Sequence, residues 1–245
     1  MNYVGRRFLV ATLLASIVVA GTAGAEEATF RAPPDLAQRM KDVGKIALLL
    51  KEVEVVEILS GGVREPRPEW GTDARGKVQA AIAAEFRRLG YELEALPPPP
   101  EGDDEFRSIL SLYGAVTGSV LRHAYDGPNL FPEKKTRFDY TVGAIDNVLR
   151  ASGADAMLVV HASDEVSTSG RKAMQTLGIV AAAVVGVVVT PNMGQTRLMV
   201  GLLDRSGDLL WFNLRGGRGG YDLRDPESVS KLVSLSFAGF PGRPK

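Results

Sequence analysis

Ile46-Ala47-Leu48-Leu49-Leu50 is a run of five apolar residues without a break. A half-buried strand alternates, so this run reads as a strand covered on both faces. The strand region extends from Lys45 to Leu59. Val53, Val55 and Ile58 continue it less regularly past Glu52, Glu54 and Glu57. Ala156 to Ala162 is a second near-continuous apolar run.

Between these two runs the pattern changes period. Gly61-Gly62 and Pro66-Arg67-Pro68 form a loop, and Thr72 or Asp73 can cap a helix. Val78, Ile82, Phe86 and Leu89 fall at helical spacing on one stripe, which Gly90 ends. Tyr91 to Leu96 alternates as a half-buried strand, and Pro97 to Pro100 makes a stiff connector. Asp103 or Asp104 opens the next helix, with Phe106, Ile109, Leu110, Tyr113, Val116, Val120 and Leu121 on its stripe. Val142, Ile145 and Leu149 mark a third helix ending at Gly153. Strand, helix, strand, helix, helix, strand is the order of a layered α/β domain.

The C-terminal third reads differently. Thr196 to Leu203, the turn Asp204-Arg205-Ser206-Gly207-Asp208 and Leu209 to Phe212 make an antiparallel hairpin. Arg215 to Gly220 reads as a glycine-rich loop. Asp225-Pro226 then starts a helix with Val229, Leu232, Val233 and Phe237 on its apolar face. The expected fold is therefore α/β: a mixed sheet with helices packed on it, then a hairpin and a final helix. One domain is expected over residues 45–240, between a lead at 26–44 and a tail at 241–245.

The N-terminus predicts the compartment. Arg6-Arg7, the apolar run from Phe8 to Ala20 and Ala23-Gly24-Ala25 are the three parts of a secretory signal peptide, residues 1–25. Cleavage near Ala25 leaves 220 residues bound for the periplasm. The chain has no cysteine, so disulfides, thiolate metal sites, Cys nucleophiles and a lipidated lipobox are all excluded. Its formal charge of 0 argues against a nucleic-acid partner.

The segments Asp204 to Asn213 and Phe138 to Gly143 with Gly153 to Val159 resemble uncharacterised bacterial envelope proteins, many of them lipoproteins. More distantly they are similar to α/β domains of the curli-secretion lipoprotein, of outer-membrane activators of peptidoglycan synthases, and to the amino-terminal domain of the Tol-system propeller protein. The likeness covers roughly residues 45–240. It implies a mixed α/β domain used for protein–protein work in the envelope, and it carries over no catalytic residue. This chain departs from the lipoprotein members by lacking the lipidated Cys.

Candidate chemistry is sparse. His161, Asp164 and Ser167 have the residue types of a hydrolytic triad, but neighbouring strand positions face opposite ways and no nucleophile elbow is present. His123 sits near a helix end. Glu52 and Glu54 share a strand face and could pair as carboxylates or bind a divalent cation, while a charge-protected strand edge is the simpler reading. Arg215, Arg218 and Arg224 flank the glycine-rich loop as a candidate anion nest, against a plain connecting loop. Leu177 to Val189 is 13 residues with no polar side chain, and Gly178, Ala182 and Gly186 form a small-residue seam. Leu177, Gly178, Ile179, Ala182, Val185, Gly186 and Val189 are its candidate contact residues. Buried core, homo-oligomer seam and membrane-inserting element are the three readings open to it. The curli-secretion resemblance implies the last, since that family inserts a segment into the membrane.

These readings converge on an exported, periplasmic, non-enzymatic protein with no cofactor. It is expected to act by contact with envelope proteins in cell-envelope assembly or maintenance. One alternative is an oligomeric, membrane-associated component that inserts residues 177–189. Another is a hydrolase centred on His161.

Overall fold

The computed structural model describes residues 30–59, 61–125, 131–135, 137–168, 194–218 and 220–244. The expected signal peptide and the Leu177–Val189 segment lie outside the described residues. Within them the strands are β1 (Lys45–Ile58), β2 (Arg64–Pro66), β3 (Glu92–Ala95), β4 (Ala156–Ser167), β5 (Gln195–Asp204) and β6 (Leu209–Arg218). The helices are α1 (Leu36–Arg39), α2 (Pro68–Leu89), α3 (Asp104–Val120), α4 (Asp146–Leu149) and α5 (Pro226–Ser236). One mixed sheet runs β2-β1-β4-β5-β6, and β3 also pairs with β1. β1 is parallel to β3 and β4, while β2, β5 and β6 run antiparallel to their neighbours.

The unbroken apolar run is explained by cover on both sides. Ile46, Leu48 and Leu50 pack in one core with Val78, Ile82 and Phe86 of α2, with Leu232 and Val233 of α5 and with Phe237 just after it. Ala47 and Leu49 pack in a second core with Phe106, Ile109, Leu110 and Tyr113 of α3. The β1-to-β3 connection therefore runs through α2 on the first face. The β3-to-β4 connection runs through α3 on the second. β3 and β4 flank β1 on opposite sides, so the chain changes face and direction at the β1/β4 boundary, a topological switch point. The C-terminal hairpin and final helix form as expected. Asp225 caps α5 by accepting from the amides of Glu227 and Ser228, with Pro226 in the first turn.

Four local expectations are corrected. Arg64–Pro66 is a short strand and not loop, pairing with Val56–Ile58. α2 starts at Pro68 and not at Thr72 or Asp73, because proline suits the first helical position. The helix expected from Val142 reduces to Asp146–Leu149. Gly143 there has φ 78°, outside helical space, and the Val142 and Ile145 amides donate to the carbonyls of Gly207 and Arg205 on the hairpin turn. Finally, Arg215 to Arg218 is not loop but the end of β6.

Candidate functional site

A single extra residue in β1 decides which side chains meet. The β1–β4 register runs Leu50 opposite Val160, then Glu52 opposite His161, leaving Lys51 as a bulge. Because side chains alternate, one inserted residue exchanges the faces of everything beyond it. Glu52 and Glu54 therefore join the face of Ala47 and Leu49. The pairing of β4, β5 and β6 extends this into two rows across the sheet. Glu52, His161, Met199 and Leu214 form one; Glu54, Ser163, Arg197 and Gly216 form the other.

Helix α3 crosses the same face beside these rows. Lys51 Nζ donates to the Leu110 carbonyl at 3.5 Å, and the turn after α3 reaches β6, where the Tyr125 hydroxyl meets the Phe212 carbonyl oxygen at 3.3 Å. At the end of α3, Leu121 closes one side of a groove of about 240 Å³ floored by His161, Ser163, Met199 and Leu214 and bordered by Glu52, Glu54 and Arg197. The groove lies near the middle of β1 and β4, on the face that α3 covers, and reaches across β5 to β6.

His161 has its protonation altered by these surroundings. Burial lowers its pKa below the ordinary 6.5; Lys51 pushes the same way, and Glu52 opposes both. Its Nδ1 stands 3.8 Å from Glu52 Oε2, an ion-pair distance too long for a hydrogen bond. Its Nε2 is buried with no hydrogen-bond partner among the described residues. Nε2 is thus closed off from the groove, and Nδ1, on the Glu52 side, is the imidazole nitrogen that can donate to or accept from a ligand polar group. Glu54 and Arg197 are both exposed. The Arg197 guanidinium donates to Gln195 Oε1 at 2.7 Å, a neutral partner that leaves its charge available.

The triad types do not converge. Asp164 faces the opposite side of the sheet from His161, where it is 2% exposed. There it bonds the Thr196 hydroxyl at 2.7 Å and the Leu223 amide at 2.9 Å. Ser167 lies six residues along β4 from His161, about 20 Å at strand rise. Glu57 is separated from Glu52 and Glu54; it sits on the first face and accepts from Arg67 Nε at 2.9 Å. His123 lies in the π-helical segment Leu121–Tyr125 that follows α3, its ring centroid 5.2 Å from that of Phe131.

The three arginines are not gathered into one nest. Arg215 and Arg218 are three positions apart on β6 and so face opposite ways. Arg224 pairs with Asp222 at 2.7 Å and lies over the Trp70 ring at 4.9 Å. Leu177, Gly178, Ile179, Ala182, Val185, Gly186 and Val189 are outside the described residues. Among the described residues no helix is long and apolar enough to cross a membrane, and no group of three or more His, Asp or Glu could hold a metal ion.

Sequence reasoning missed Ser163, Arg197, Met199 and Leu214 as partners of His161. Their convergence depends on the β4–β5–β6 register. Counting outward from the Asp204–Asp208 turn would have aligned β5 with β6, but not with β4. Compared with known protein families, with curated proteins and with solved structures, the chain shows no match.

Proposed function

We propose that the protein is an exported, periplasmic, non-enzymatic binding protein that acts by contact with another protein in assembly or maintenance of the cell envelope. The observation that carries this reading is the groove across β1, β4, β5 and β6 beside the end of α3. It offers an acidic wall, a basic wall and a floor of mixed polar and apolar side chains, the chemistry of recognition. The signal-peptide pattern, the near-neutral charge and the resemblance to envelope proteins support the compartment and the mode of action.

In-cell cross-linking of a tagged full chain, followed by identification of what is captured, tests it. Envelope proteins are expected, with capture reduced in Glu54→Lys. Capture of soluble small-molecule enzymes alone, or capture indifferent to Glu54→Lys, contradicts it. A second reading, membrane insertion of Leu177–Val189, rests on those 13 residues without a polar side chain. A washed membrane pellet free of the protein would eliminate it.

A further inference from the structure

We infer that the groove between Glu54 and Arg197 binds a short linear peptide with both ends free, its ammonium against Glu52 and Glu54 and its carboxylate on Arg197. This goes beyond contact with a partner protein and rests on the groove being a recognition surface. Three features lead to it.

The first is charge placement. Glu54, Ser163 and Arg197 occupy one row on three adjacent strands. The α-carbons of Glu54 and Arg197 are thus two strand spacings apart, about 9.5 Å. An extended tripeptide spans about 10 Å from end to end. Among the described residues Glu54 makes no ion pair with a basic side chain, and Arg197 spends one hydrogen bond on a neutral amide. Opposite charges thus stand apart across a hollow, ready for a ligand with both signs.

The second is the floor. In an extended tripeptide the middle side chain points away from the outer two, and the inferred pose turns it toward the sheet. Beneath it lie Ser163 and His161 on β4, with Met199 beside them on β5 and Leu121 at the side of the groove; Leu214, on β6, lies one strand beyond Arg197. Met199 and Leu121 favour an apolar middle residue over a charged one.

The third is unused hydrogen-bonding capacity between the walls. His161 Nδ1 stands 3.8 Å from Glu52, too far for a hydrogen bond, and Ser163 lines the groove two residues along on the same face. Peptide groups carry one donor and one acceptor each, which a neutral imidazole and a hydroxyl can meet. A detergent-like amphiphile would leave both unmet.

Isothermal titration of the purified full chain with Ala-Leu-Ala tests the inference. The free tripeptide is expected to bind. Amino-terminal acetylation and carboxyl-terminal amidation should each weaken it roughly fivefold, the worth of an exposed ion pair. In Glu54→Gln acetylation should matter less, and in Arg197→Gln amidation should matter less. Both residues are exposed, so neither variant should disturb the fold. Absence of binding, or equal affinity for the free, acetylated and amidated peptides, overturns the inference. So does blocking sensitivity that persists unchanged in both variants. Failure here leaves in-cell capture of envelope proteins untouched. Peptide binding without any such capture would keep the ligand site and remove the partner-protein reading.

Discussion

Gly201 leaves the space that the Tyr113 phenol fills. A Cβ built on Gly201 would stand 2.3 Å from the Tyr113 hydroxyl oxygen and 3.0 Å from two ring carbons. Tyr113 is fully buried, its hydroxyl has no hydrogen-bond partner among the described residues, and its ring lies parallel to that of His161 with centroids 6.1 Å apart. The contact fixes how closely α3 approaches β5 beside the groove.

Overpacking at this contact should be costly. Gly201→Ala is expected to lower stability by about 1–3 kcal/mol in urea unfolding. Tyr113→Phe removes a buried, unbonded hydroxyl and should cost little or nothing. Combining the two should recover part of the Gly201→Ala loss, because the first atom struck is gone. A neutral Gly201→Ala variant would show that α3 does not seat against β5 as described.

Asp164 predicts a second behaviour, in pH. Thr196 Oγ1 lies 2.7 Å from Asp164 Oδ1 and 2.8 Å from the Tyr221 carbonyl oxygen. A hydroxyl has one proton, so both contacts are hydrogen bonds only when Asp164 is protonated and donates. Burial, the largest cause, raises its pKa above the ordinary 3.8. The folded chain then binds more protons than the unfolded one between 3.8 and the raised value. This contribution to stability is present at low pH and lost as pH rises through that window. Asp164→Asn keeps a donor for Thr196 and should abolish that fall in a series of melting curves against pH. Asp164→Ala, which orphans Thr196 and the Leu223 amide, should cost about 2 kcal/mol. A melting profile identical in wild type and Asp164→Asn contradicts the protonated arrangement.

His161 titrates with the opposite consequence. Its folded pKa is depressed below 6.5, so the unfolded chain binds more protons just below that value. Stability from this group is complete above pH 6.5 and falls as pH drops toward the folded pKa. Proton NMR of the imidazole should give a midpoint below 6.5, moved further down in Glu52→Gln and back up in Lys51→Met. A midpoint that ignores both substitutions would separate His161 from the residues that border it.

The layers of the fold were legible because burial on two faces leaves an unmistakable pattern at Ile46–Leu50 and Ala156–Ala162. The groove was not. Its acidic wall depends on the Lys51 bulge, which reverses the side to which Glu52 and Glu54 point, and an inserted residue carries no compositional mark. Gly216 misled for a related reason. A glycine-rich stretch reads as loop, yet a Cβ there would stand 2.1 Å from the Thr196 carbonyl oxygen, so the glycine serves close strand approach. The short strand Arg64–Pro66 was hidden by its proline and its length.

Site-directed photo-cross-linking in living cells probes the working surface most directly. A photoreactive residue at Ser163 lies in the groove; one at Lys231, exposed on α5, lies on the other side of the sheet. Capture of an envelope protein from position 163 and not from 231 is the expected result. Equal capture from both, or capture from 231 alone, would contradict the assignment of the groove as the surface through which this protein acts.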